Sequence, residues 1–174
     1  MVKLWRCEIC GDPYIGDKAP ANCPFCGAKE KYIKDFKDAK VNFDVELNEK
    51  DRSNAEHALQ VELSNAAFYF CAAAKVKELE GQKLFKALAK VEAEHAAIWK
   101  KILKLKDAPP GNDGCSENYT DDLKDSHARE TRAIEFYSKA AEESENERIK
   151  QLFGALVEVE TDHLQLSQER MDNS

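Results

Sequence analysis

The chain has 174 residues, 43% of them hydrophobic and 34% charged, with a formal net charge of −7. That composition supports one compact core plus a small module. No apolar run is long enough to span a membrane, and no basic run suits nucleic acid. The opening Met1-Val2-Lys3-Leu4-Trp5-Arg6-Cys7 lacks an apolar signal core, so a cytoplasmic location is expected.

Residues 1–36 hold most of the punctuation, with Gly11, Pro13, Gly16, Pro20, Pro24 and Gly27 and no helical period. Short strands and tight turns around a metal are expected. Cys7-x2-Cys10 and Cys23-x2-Cys26 are two knuckles separated by twelve residues, the spacing of a tetrahedral thiolate site. Four sulfurs suit zinc or iron equally, so the pattern leaves the metal open. Trp5, Tyr14, Phe25 and Tyr32 are candidates for a miniature aromatic core. The remaining cysteines are read as free thiols, Cys71 packed as a small hydrophobe and Cys115 exposed in a loop.

Residues 37–50 are polar and read as a linker. From Ser53 the texture turns helical, with Ser53 and Glu56 as a capping box. A first helix is predicted from Asn54 to Leu79, then Gly81 as punctuation, and a second from Gln82 to Leu105. Pro109, Pro110, Gly111 and Gly114 make a break. Third and fourth helices are predicted over Thr120–Glu143 and Asn146–Glu169. Short, long and short connections describe two helical hairpins joined by a crossover, a four-helix bundle over residues 51–174.

The bundle repeats itself at an ungapped offset of 68 residues, from Glu62 to Glu130. At that offset Tyr69 falls on Tyr137, Glu92 on Glu160 and His95 on His163. Packing explains the apolar matches but does not ask for the Glu and His residues. Glu92 with His95, and Glu160 with His163, share one helical face at a spacing of three. A lone Glu-x-x-His arises easily in a Glu-rich chain. Two in register, each with a matching upstream Glu, argue for four carboxylates and two imidazoles converging on two iron ions. Glu92 and Glu160 are then candidates to bridge. Tyr69 and Tyr137 lie two turns beyond Glu62 and Glu130 and read either as core aromatics or as donors to the ligating carboxylates. His57 has no repeat partner and reads as surface.

The segments Cys7-Glu8-Ile9-Cys10-Gly11 and Ala19-Pro20-Ala21-Asn22-Cys23-Pro24-Phe25-Cys26-Gly27 resemble the rubredoxin-like domain of rubrerythrins. Residues 53–170 resemble the ferritin-like domain of the same family. The order is similar to the reverse-rubrerythrin arrangement, with the four-cysteine domain first. The resemblance implies a mainly α chain in which Cys7, Cys10, Cys23 and Cys26 hold one iron (or zinc) and Glu62, Glu92, His95, Glu130, Glu160 and His163 hold two irons. It implies reduction of hydrogen peroxide to water in oxidative-stress defence, with electrons passing from a separate reductase through the four-cysteine iron. It also implies a homodimer. Two departures stand out. Asp12 replaces the tyrosine usual after Cys-Gly, and Ala133 stands where the family carries an extra ligating carboxylate. The second leaves a plainer site resembling ferritin-type ferroxidases, so an oxygen-reducing or ferroxidase centre, or an iron-binding protein with structural zinc, stays open. His127, three before Glu130, is either a substitute ligand or proton donor or an exposed helix histidine.

Overall fold

The computed structural model describes residues 1–173. The chain opens with three short strands: β1 (Lys3–Cys7), β2 (Pro13–Gly16) and β3 (Ile33–Asp35). They form an antiparallel sheet in the order β2-β1-β3. Each cysteine knuckle closes through a glycine. The Gly11 N–H donates to the Cys7 carbonyl at 3.0 Å, and the Gly27 N–H to the Cys23 carbonyl at 2.9 Å. Both glycines have positive φ, +88° and +74°, a region that a Cβ makes costly.

Four helices follow: α1 (Glu49–Lys75), α2 (Leu79–Ile102), α3 (Tyr119–Glu143) and α4 (Glu147–Asp172). The chain is thus mainly α, a ferritin-like bundle in which α1 packs on α2 and α3 on α4. α1 begins before Ser53 because Asn48 caps it, its Oδ1 accepting from the Asp51 N–H at 2.7 Å. Asn118 and Asn146 cap α3 and α4 in the same way. Gly81 does not break the chain as expected; it lies inside the first turn of α2. Its role is close packing, since a Cβ there would stand 2.7 Å from the Tyr119 ring.

Cys71 and Cys115 are not free thiols. They form a disulfide with their Cα atoms 5.8 Å apart. The reason lies in the crossover, which doubles back along α1. A Cβ on Gly111 would sit 2.0 Å from the Leu63 carbonyl oxygen, and Asp113 accepts from Ser64 at 2.8 Å and from Arg129 at 2.6 Å. That path brings the loop cysteine over the helix cysteine.

Residues 36–48 lie in neither helix nor strand, yet Phe43, Val45 and Leu47 pack against the core. Phe43 lies beneath Gly11, with the Lys101 and Arg148 cations 5.1 and 5.7 Å from its ring. Arg148 also donates to the carbonyls of Asn42 and Glu8 at 2.9 and 2.7 Å. One continuous core therefore joins the four cysteines, Ile9 and Ile33 to Trp99, Phe153 and Leu156 of the bundle. A second cluster around Phe68, Tyr69, Phe85 and Leu123 fills the bundle's other end.

Candidate metal centres and the contact between them

The four knuckle cysteines are buried, and their Sγ atoms all lie within 4.8 Å of one another. Cys7 and Cys26 are 3.7 Å apart, Cys10 and Cys23 3.8 Å. A tetrahedron with metal–sulfur bonds of about 2.3 Å has edges of about 3.8 Å. The sulfurs thus stand at the separations a single four-coordinate iron or zinc requires. Without a cation the quartet cannot ionise fully: its hydrogen bond with Cys23, together with burial, pushes the Cys10 thiol up.

The second centre lies between the helices. α1 contributes Glu62, α2 Glu92 and His95, α3 Glu130, and α4 Glu160 and His163. All six side chains are buried. Two groups of potential ligands form, Glu62 with His95 and Glu130 with His163, and both include Glu92 and Glu160. The oxygens show why the shared pair can bridge. Glu92 places Oε2 3.4 Å from His95 Nδ1 and Oε1 3.1 Å from His163 Nδ1. Glu160 places Oε1 3.2 Å from His95 Nδ1 and Oε2 2.8 Å from His163 Nδ1. Each carboxylate therefore spans both imidazoles.

These atoms approach one another without hydrogen-bond alignment. Both Nδ1 atoms, both oxygens of Glu92 and Glu160, and Oε2 of Glu62 and Glu130 are buried with no hydrogen-bond partner. So many orphaned polar atoms in a dry core would be costly unless they converge on cations. Burial pushes Glu62 and Glu130 well above the usual carboxylate range. Burial acts the same way on Glu92, but His163 and His95 more than offset it and hold Glu92 low. Burial would lower both histidines, yet Glu62 and Glu160 raise His95, and Glu160 and Glu92 raise His163. Two divalent ions would replace those charge contacts with ligation. The donor set fits a di-iron pair here and one iron or zinc on the cysteines.

The tyrosine hydroxyls cross between hairpins. Tyr69 on α1 donates to Glu130 on α3, and Tyr137 on α3 donates to Glu62 on α1 at 2.5 Å. Ser126, which sequence reasoning passed over, joins Tyr69 at 2.8 Å. Burial keeps both phenols protonated far above their ordinary range, so they remain donors to the outer carboxylates.

The N-terminal module seats on α2 and α4. His95 Nε2 lies 2.9 Å from the Cys26 carbonyl. With Nδ1 facing the carboxylates, Nε2–H is the donor, and one peptide separates a candidate ligand of the bundle centre from a cysteine of the first. Lys101 donates to the Cys10 carbonyl at 3.2 Å, Lys29 pairs with Asp162, and Lys31 with Glu158. Asp12 and Glu94 meet beside Cys10. Burial and the neighbouring Asp12 carboxylate push Glu94 up to about 7. No spacing rule singles out Glu94; it occupies the outer face of the helix whose inner face carries His95.

His127 stands apart from the carboxylate group, partly buried, with Nδ1 3.4 Å from Ser167 Oγ. His57 is exposed and packs edge-on to Phe136. Ala133 is buried on α3. No helix among the described residues is long and apolar enough to cross a membrane.

Comparison with known proteins agrees with both halves of this geometry. Residues 54–170 match the family described as Rubrerythrin, and residues 5–34 match the rubredoxin-like domain of rubrerythrin. Reverse rubrerythrin-1 of Clostridium acetobutylicum is 30% identical over 119 residues, which are 59% of this chain and 62% of that protein. No solved structure is a significant match.

Proposed function

The chain belongs to the rubrerythrin family in its reversed domain order, and from that premise we propose that it is a peroxidase reducing hydrogen peroxide to water. One peroxide takes two electrons and two protons and leaves as two waters. Two functional units carry the work, residues 1–36 and 51–174, joined by 37–50. Cys7, Cys10, Cys23 and Cys26 hold the electron-entry iron. Glu62, Glu92, His95, Glu130, Glu160 and His163 hold two irons, which supply the electrons that cleave the O–O bond.

The observation that carries this reading is the contact of 2.9 Å between His95 Nε2 and the Cys26 carbonyl. A storage or purely structural centre has no need of such a junction. The remaining roles fall to side chains. Tyr69 and Tyr137 hold protons against Glu130 and Glu62, steadying the outer carboxylates as their charge changes. The apolar packing of Trp99 and Phe153 keeps bulk water from the junction. The oxidant, a cytoplasmic reductase as electron donor and a homodimeric assembly complete the reading. The junction lies within one chain, so the dimer is not needed to form it.

The test begins with protein made anaerobically with iron, reduced, and mixed with one equivalent of peroxide while the visible spectrum is recorded. The thiolate–iron colour should bleach on reduction and return quickly with peroxide, and far more slowly with air. Fast return with air alone would replace peroxide by oxygen as oxidant. If the colour never forms and the four cysteines carry zinc, the electron route is lost and the bundle is a ferroxidase or iron-binding centre.

A further inference from the structure

The crossover between α2 and α3 is fastened to α1 at three points. Asp113 accepts from Ser64 at 2.8 Å and pairs with Arg129 at 2.6 Å, Cys115 is bonded to Cys71, and Glu117 pairs with Lys75 at 2.6 Å. Every second residue of the segment 113–117 is therefore held. On α1 the attachment points Ser64, Cys71 and Lys75 are spaced seven and four residues apart, so they share one stripe of the helix. Both cysteines are partly exposed, within reach of a small thiol.

Opening the disulfide would leave an ion pair two residues to either side of Cys115. The freed sulfurs would stay near each other, and the bond can close again without a search through chain conformations. A disulfide that merely joined two loose ends would have no such support.

The bond also completes a ring that reaches the bundle centre. Beside Cys115, Ser116 donates to Asp122 Oδ1 from its N–H and from its hydroxyl, each at 2.8 Å. Asp122 is buried at the start of α3, and Asp122, Ser126 and Glu130 follow at spacings of four on one face of that helix. Ser126 meets the Tyr69 hydroxyl at 2.8 Å, and Tyr69 donates to Glu130. Tyr69 stands two residues before Cys71 on α1. The disulfide thus ties together the two helices whose side chains steady Glu130. The other hairpin has no such tie. Lys139 occupies the place of Cys71 in the internal repeat, an exposed residue paired with Glu143. The half of the centre with Glu62 and His95 is seated against the N-terminal module instead.

We propose that Cys71 and Cys115 form a thiol–disulfide exchange site, opened by a dithiol and closed by a hydroperoxide, whose closed form holds Glu130 in place as a candidate metal ligand. In opening, a thiolate of the dithiol attacks one sulfur and the protein S–S bond breaks; the reductant's second thiol then displaces the mixed disulfide. The protein gains two electrons and two protons, and the reductant leaves as its own disulfide. In closing, one protein thiol attacks the O–O bond of hydrogen peroxide and becomes a sulfenic acid, and the first water leaves. The other thiol attacks that sulfur, the S–S bond re-forms and the second water leaves. The two thiols supply both electrons, so the proposal stands apart from the peroxidase reading of the bundle.

The exchange is tested on the full zinc-loaded chain, whose bound metal does not consume peroxide. The protein is treated with dithiothreitol without denaturant, alkylated and mapped by mass. A second portion is freed of dithiothreitol and given hydrogen peroxide before alkylation. Cys71 and Cys115 should take the label after the dithiol and be protected again after the peroxide, with the helical signal unchanged. The brace is tested on protein loaded anaerobically with ferrous iron, by the rate at which a ferrous chelator removes the metal. Opening the bond should release one of the two bundle ions about fivefold faster, the worth of one hydrogen bond, and leave the four-cysteine iron unmoved. Ser126→Ala, which keeps the bond, should speed the same ion by a similar factor, and opening the bond in that variant should add little. A disulfide that resists dithiothreitol until denaturant is added would overturn the exchange site. Equal iron release from the opened and closed wild type, or full additivity of opening with Ser126→Ala, would overturn the brace.

Discussion

Replacing Gly27 by alanine should loosen the seat of the N-terminal module. Gly27 has φ +74°, and a Cβ there would stand 2.8 Å from Cγ1 of Val159, one residue before Glu160. The left-handed backbone costs a non-glycine residue about 1–2 kcal/mol. The overlap adds a further ~1–3 kcal/mol, because Val159 is buried in α4 and has little room to yield. Gly27→Ala should therefore cost about 2–5 kcal/mol. Val159→Ala alone removes two buried methyls, at about 0.8 kcal/mol each before any cavity cost. In the double variant the overlap disappears but the backbone cost stays. The pair should then be less destabilised than the sum of the singles by ~1–3 kcal/mol. Denaturant unfolding of the four zinc-loaded proteins measures this cycle. Stopped-flow reoxidation of the iron-loaded proteins should show the slowest return of thiolate–iron colour in Gly27→Ala, with partial rescue in the double variant. Additivity within about 0.5 kcal/mol would mean that the two side chains do not meet, and the docking geometry described above would be wrong.

Other consequences are as direct. Glu92→Ala removes a carboxylate that faces both His95 and His163, so metal analysis should find both bundle ions lost and the four-cysteine metal kept; retention of two bundle ions would remove Glu92 from the bridging role. Cys71→Ser opens a disulfide that closes a 44-residue separation, worth ~4 kcal/mol on chain entropy; an unfolding free energy lowered by less than about 1 kcal/mol would show that the crossover is held by its other contacts. Glu94 has its folded value raised from 4.5 to about 7. A raised carboxyl binds its proton more tightly when folded, so its stabilisation is fully present below pH 4.5 and is lost as pH rises through about 7. The whole shift would correspond to ~3 kcal/mol, but partial exposure screens it to about 1. Glu94→Gln should flatten the fall in stability between pH 5 and 8 by that amount, and an unchanged pH profile would refute a Glu94 carboxyl raised by burial beside Asp12.

Local spacing and repetition make part of this architecture legible from the residues alone. C-x2-C-G dictates a knuckle because only glycine tolerates the turn that follows. The offset from Glu62 to Glu130 put equivalent donors on equivalent faces of two hairpins, since a helix returns to one face every three to four residues. Helix starts were less legible: Ser53 looks like a cap, but Asn48 fulfils that role, and burial of Asp51 and Asn54 extends the helix toward it. Gly81 reads as a break in sequence and serves as a contact for Tyr119 in space. The rest comes from packing between distant segments. Which carboxylates span both histidines, which tyrosine serves which hairpin, and which cysteines meet all depend on segments far apart in the chain. The Cys71–Cys115 bond spans 44 residues, Tyr69 and Glu130 are 61 apart, and Cys26 and His95 69 apart. No residue pattern within either segment records such distances. They are set by how two hairpins and a small sheet share one core, which is a property of packing rather than of spacing.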